Sequence, residues 1–124
     1  MARSGRQAAT RYQPDRGHFI YLNFSPQAGH EQAFARPGLV LSPKSFNVAT
    51  NFALVCPITN QAKGRPFDVP IPPGGKITGV VLSDQLRSLD WVARNAKFHS
   101  QAPEQLVLEV LARIEAVLRI DLGQ

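Results

Sequence analysis

"HFIYLNF", residues 18–24, sets the architecture of this chain. In an extended backbone Phe19, Tyr21 and Asn23 point to one side, and His18, Ile20, Leu22 and Phe24 to the other. Both sides are largely apolar, as expected of a strand within a small barrel. Short apolar runs of the same kind predict further strands near 38–42, 52–58, 66–71, 78–82, 85–89 and 95–98. The segments "SPKSFNVATN", "NQAKGRP" and "IPPGGK" read as the turns between them. Pro66, Pro70 and Pro72 push their strand toward a sheet edge, because proline has no N–H to give the ladder.

The period changes only at the end. In "APEQLVLEVLARIEAVLRI", Leu106 or Val107, Val110, Leu111, Ile114, Val117 and Leu118 recur at helical spacing. Pro103 and Glu104 suit a first turn, and Gly123 lies past the end. A helix is therefore expected over about 103–120, with Glu109 and Arg113 paired on its wet face. The fold class is mostly β with a C-terminal α-helix, a small antiparallel barrel. The segment 1–13 reads as a flexible basic arm, and 14–124 as one domain.

Composition narrows the function classes. At 124 residues, 44% hydrophobic and 19% charged, the chain is a globular domain with a single core. No apolar stretch approaches the about 20 residues of a membrane helix, and the basic N-terminus lacks the apolar centre of a secretory signal. One cysteine, Cys56, forbids an intrachain disulfide and suits a reducing cytoplasm. Net charge is +5, and residues 1–102 hold twelve Lys/Arg against five Asp/Glu. Such a basic surface draws polyanions. The apolar residues exceed what so small a barrel wraps, so a homodimer is expected.

Several catalytic devices are missing. The sequence has no Gly-rich phosphate loop, no paired-Cys zinc spacing and no GxSxG elbow. His18, His30 and His99 are scattered without metal-ligand spacing, so neither metal nor cofactor is expected. What remains are polar residues at strand ends: Glu31 and Arg36, then Thr59 to Lys63, then Asp84 to Ser88. A rim of this kind suits RNA cleavage by the substrate's own 2′-hydroxyl. That reaction needs a base, a proton donor for the departing 5′-oxygen, and positive charge on the phosphorane. Glu31 fits the base, Arg36 the phosphate clamp and Thr59 a hydrogen-bond donor. The plainer alternative stays open on spacing alone: a solvated loop carboxylate, a surface arginine beside it and a strand-end threonine.

The blocks "RGHFIYLNFSPQAGHEQAFARPGLVLSPKSFN", "LVCPITNQAKGRPFDVPIP" and "GVVLSDQLRSLDWVARNAKF" resemble, in order, those of the MazF/PemK family of toxin endoribonucleases. The resemblance runs from about Arg16 to the terminal helix. It implies an SH3-like barrel of the MazF/CcdB type, a homodimer, and metal-independent cleavage of single-stranded RNA at a short sequence. It also implies a cognate antitoxin that fills the RNA groove. By position, Arg36 and Thr59 fall on the catalytic pair, and Glu31 on a glutamate that acts as base or orients the arginine. Gln32, Gln61, Lys63, Gln85 and Arg87 fall along the RNA groove, the cations for phosphates and the amides for base edges. His18, Asn23 and Ser25 stand where the family usually carries acids, so the groove should be more positive here. Two rivals remain: a CcdB-like toxin acting on a protein such as gyrase, and a non-catalytic RNA-binding barrel. The first works through a near-terminal tryptophan, whereas Trp91 precedes the helix here.

Overall fold

The computed structural model describes residues 11–25 and 35–120. Among the described residues seven strands and two helices run in the order β1 (His18–Asn23), β2 (Ala35–Val40), α1 (Lys44–Thr50), β3 (Phe52–Thr59), β4 (Asp68–Pro70), β5 (Val80–Leu82), β6 (Arg87–Asp90), β7 (Lys97–Gln101) and α2 (Glu104–Leu118). A single 3-10 turn, Ser83–Gln85, joins β5 to β6. Every strand pairing is antiparallel. The sheet runs β4-β5-β3-β2-β1-β7, with β6 also paired to β3. The mostly antiparallel sheet and terminal helix match expectation, but the hydrogen-bonded sheet is not closed: β4 and β7 are its ends. Pro70 sits on the edge strand β4, where its missing N–H costs no central ladder bond.

Alternation along β1 builds two cores, where the chain's length predicts one. Phe19 joins Leu39, Leu41, Cys56 and Ile58 beneath α2, which contributes Leu106, Val107 and Val110. Ile20 and Leu22 face the opposite way, onto Val40, Ala53, Val55, Leu89 and Trp91. Ile20 and Leu22 are fully buried, each worth about 1.5–3 kcal/mol of apolar transfer. This two-sided burial is why "HFIYLNF" lacks a polar face.

Expected boundaries shift in several places: β2 spans Ala35–Val40 where 38–42 is expected, and β7 spans Lys97–Gln101 where 95–98 is. The segment read as a turn, "SPKSFNVATN", contains α1. Its first free N–H, on Lys44, donates to Asp15 Oδ1 at 2.8 Å, a cap supplied from 29 residues away. Asn51 then closes the helix in the left-handed region, φ 63°. The expected start of the strand at 85 is instead the 3-10 turn carrying Gln85, with β6 beginning at Arg87. The terminal helix is as expected, with the Glu109–Arg113 pair at 3.1 Å. No helix among the described residues is long and apolar enough to cross a membrane.

Trp91 is buried, and its indole N–H donates to the Asn47 carbonyl at 2.9 Å. Asn47 is itself buried, donating through its amide to the Pro14 and Ser42 carbonyls at 2.9 and 3.0 Å. This network ties α1 to the segment before β1 and to the turn after β6. A buried amide in an apolar core is tolerated because its polar atoms find partners.

Candidate active site

The site begins with strand register. Gly38 pairs with Pro57, Leu39 with Cys56 and Val40 with Val55. The paired residues stop at Gly38 and Pro57; extended by two residues, the same register would bring Arg36 of β2 opposite Thr59 of β3. Alternation puts both on the face that bears Val40 and Val55. Arg36 is exposed, and its Nη1 donates to the Ala35 carbonyl at 2.9 Å. On its other flank Arg36 pairs with Leu22 of β1, whose full burial fixes the strand beneath it.

Thr59 is the last residue of β3 and is half-buried. Its hydroxyl oxygen accepts the Gln61 backbone N–H at 3.0 Å, so it both ends the strand and starts the following loop. Gly79, at φ +104°, passes directly behind it: a Cβ there would lie 2.2 Å from the Thr59 carbonyl oxygen. Only glycine allows that approach. The Thr78 hydroxyl donates to Asn60 Oδ1 at 2.9 Å, holding the same corner.

Thr59, Gln61, Lys63 and Gln85 line one open pocket of about 310 Å³, together with Arg65, Asp68 and Leu82. Four residues singled out in the sequence thus converge, although they come from a strand end, a loop and the 3-10 turn. Gln61, Lys63 and Gln85 are all exposed. Arg87 lies apart from this pocket, beside Val55 at the start of β6. Its guanidinium sits 5.7 Å from the centre of the Phe24 ring, with Nη2 donating to the Phe24 carbonyl at 3.4 Å. Phe24 in turn rests on Gly38, where a Cβ would come within 3.1 Å of its ring and 2.7 Å of Val55. Glu31 and Gln32 lie outside the described residues.

Sequence reasoning missed Phe24 as the platform for Arg87, and Arg65 with Asp68 as part of the pocket. Arg65 donates to Asp68 at 3.3 Å and to Asp84 at 3.0 Å. The acid-poor positions also separate. Ser25 adjoins Phe24, but His18 lies at the far end of β1, packed against Tyr12 and Phe98. His18 therefore makes no difference to the charge of this rim.

Cys56 offers no nucleophile: it is buried, and burial pushes its thiol up to about 12, with Asp84 adding to the rise. Among the described residues no group of three or more His, Cys, Asp or Glu can hold a metal ion. The chemistry that the described residues of this rim offer is a charge clamp with hydroxyl and amide hydrogen bonds.

The same chain architecture occurs in known proteins. Residues 15–118 match the family described as PemK-like, MazF-like toxin of type II toxin–antitoxin system. The endoribonuclease toxin MazF of Escherichia coli K12 is 44% identical over 110 residues, covering 88% of this chain and 97% of that protein. Among solved structures, MazF of Deinococcus radiodurans is similar at a TM-score of 0.79 and 47% identity, covering 87% of this chain and 98% of its own. A MazE–MazF complex from the same organism matches at 0.79 and 40%, over 90% of this chain and all of that one. The chain belongs to the PemK-like, MazF-like family of toxins of type II toxin–antitoxin systems.

Proposed function

We propose that this toxin is an endoribonuclease that cuts single-stranded RNA at a short sequence, without a metal, as a cytoplasmic homodimer neutralised by a cognate antitoxin. The observation that carries the reading is the placement of Arg36 and Thr59 on adjacent strands, with the amide- and lysine-lined pocket running on from Thr59. Relatives of this chain bear the names endoribonuclease MazF and PemK, and MazF has been solved with MazE.

In the proposed step the 2′-oxygen attacks the adjacent phosphorus and the bond from phosphorus to the 5′-oxygen breaks. The 2′-proton leaves to a base, a role assigned to Glu31, and Arg36 passes a proton to the departing 5′-oxygen and regains one from solvent water. The products are a 2′,3′-cyclic phosphate and a 5′-hydroxyl. Arg36 stabilises the charge on the phosphorane oxygens, and the Thr59 hydroxyl donates to one of them. Lys63 and Arg87 hold flanking phosphates, while Gln32, Gln61 and Gln85 meet base edges exposed on an unpaired strand. Exposed apolar side chains on and beside α1 (Phe46, Val48, Phe52) and late in α2 (Val117, Leu118) support a second copy and an antitoxin as partners.

The test is incubation of purified protein with a long single-stranded RNA in excess EDTA, with fragment ends mapped. Discrete cuts at one recurring short sequence, leaving 5′-hydroxyl ends, are expected. RNA bound but left intact overturns the enzymatic reading and leaves a binding module. Neither cutting nor binding points to a protein target.

A further inference from the structure

The loop between β3 and β4 carries Gln61 and Lys63 but has no regular structure of its own from residue 60 to 67. A loop that presents groups to a ligand must be fixed from elsewhere, or ordering it opposes binding. Three kinds of contact fix its far end. The Ser83 N–H and hydroxyl both donate to the Phe67 carbonyl, at 3.1 and 2.6 Å. Arg113 of α2 donates to the Pro66 carbonyl. Arg65 folds back on Asp68, with its N–H donating to Oδ2 and its Nη2 to Oδ1, both at 3.3 Å.

The same Arg65 Nη2 also reaches Asp84 Oδ1 at 3.0 Å. Asp84 is the residue before Gln85 on the 3-10 turn, and Arg65 is two residues after Lys63. One guanidinium thus couples the loop that carries Gln61 and Lys63 to the turn that carries Gln85, across 19 positions of sequence. All of these except Asp84 line the same pocket. The Asp68 side chain is only 3% exposed, and those of Arg65 and Asp84 are 40% and 32% exposed. Asp68 is the fixed anchor, and Asp84 is the link that can be removed without leaving a charge buried.

We propose that Arg65 is a positioning and specificity-determining residue: bridged between Asp68 and Asp84, it sets the distance between the Gln61–Lys63 loop and Gln85, and so the spacing of the bases that the toxin reads. This rests on the proposed RNA-cleaving function and adds the part that aligns its recognition pocket. Arg65 does not act here as a phosphate ligand, because its charge faces two carboxylates. Lys63 makes no ion pair among the described residues and is the cation left for the backbone.

Asp84→Asn separates positioning from charge, because the two predict opposite signs. The variant makes the pocket one unit more positive, so long-range electrostatics alone gives tighter RNA binding. Loss of the bridge gives weaker binding, with KM up about fivefold, the scale of a partly exposed ion pair. It also gives cuts at additional sequences, while kcat stays within about twofold because Arg36 and Thr59 are untouched. Arg65→Lys keeps the charge but shortens the reach of the nitrogen that touches both carboxylates, and should fall between parent and Asp84→Asn. Measurements are kcat, KM and mapped cut sites for the three proteins on one long RNA and one short oligonucleotide. An Asp84→Asn protein with lower or unchanged KM and the parental cut sites overturns the positioning role. A parent that cuts no RNA overturns the functional reading itself, and the role with it.

Discussion

Arg36 and Thr59 lie on the paired strands β2 and β3, each two residues beyond the last paired residues, Gly38 and Pro57. Neither depends on a loop for its position. Leu22, fully buried, backs Arg36 from β1, and Val80 pairs with Thr59 from β5. A rigid ladder is the right mount for groups that must meet a short-lived charge distribution without rearranging. Because Arg36 is exposed and supports no core, Arg36→Ala should lower kcat by at least about 10²-fold, the scale of losing one transition-state contact. The thermal midpoint should stay within about 2 °C of the parent, as for other surface substitutions. Single-turnover cleavage of an end-labelled oligonucleotide, beside a melting curve, checks both. A parental rate would remove Arg36 from the mechanism.

Arg87 has a different task. Seated over Phe24 and outside the pocket that Thr59 lines, it would, on the proposed function, hold a phosphate of the approaching strand and not the reacting one. Arg87→Ala should weaken RNA binding about uniformly across sequences and lower the slope of log affinity against log salt by about 0.7, the single-strand value for one phosphate contact. Anisotropy titrations at four salt concentrations would show it. An unchanged slope would mean that Arg87 serves only to pack Phe24.

Gly79 couples stability to the site. Alanine there meets the Thr59 carbonyl at 2.2 Å and the Asn60 side chain at 2.8 Å, in a backbone conformation at φ +104° that disfavours any Cβ. The cost should be about 1–3 kcal/mol, a drop of about 5–10 °C in melting midpoint. Since the strain falls on Thr59 itself, kcat should fall as well at temperatures where the variant is folded. Full activity with a lowered midpoint would show that the corner relaxes away from Thr59.

What could be read in the sequence divides along the same lines. Strands with a two-residue period and a helix of 15 residues carry their signal locally, and both were legible. α1 was not, because its seven residues resemble a turn and its first N–H is satisfied by Asp15 from far along the chain. The positions of Arg36, Thr59, Gln61, Lys63 and Gln85 were visible as motif residues at strand ends. Their partners were not. Arg87 meets Phe24 across 63 positions and Arg65 meets Asp84 across 19, and no periodicity encodes such contacts.

His18 predicts a pH dependence. Its Nδ1 accepts the Asp15 N–H at 3.2 Å, which assigns the ring proton to Nε2, and so the Tyr12 hydroxyl donates to Nδ1 at 2.6 Å. Burial holds the imidazole below its ordinary 6.5; Asp15 opposes this and Lys44 adds to it. The folded chain thus binds fewer protons at His18 than the unfolded one. This contribution is fully present above pH 6.5 and is lost as pH falls through the lowered folded value. Asp15, held below 3.8 chiefly by the Lys44 N–H, keeps its charge through that window. Between pH 7.5 and 5.5 the parent's melting midpoint should therefore fall further than that of His18→Gln, whose amide oxygen can still accept from Tyr12. The other histidines are common to both proteins and cancel in the comparison. Equal falls in the two proteins would show that protonating His18 leaves the Tyr12 contact intact.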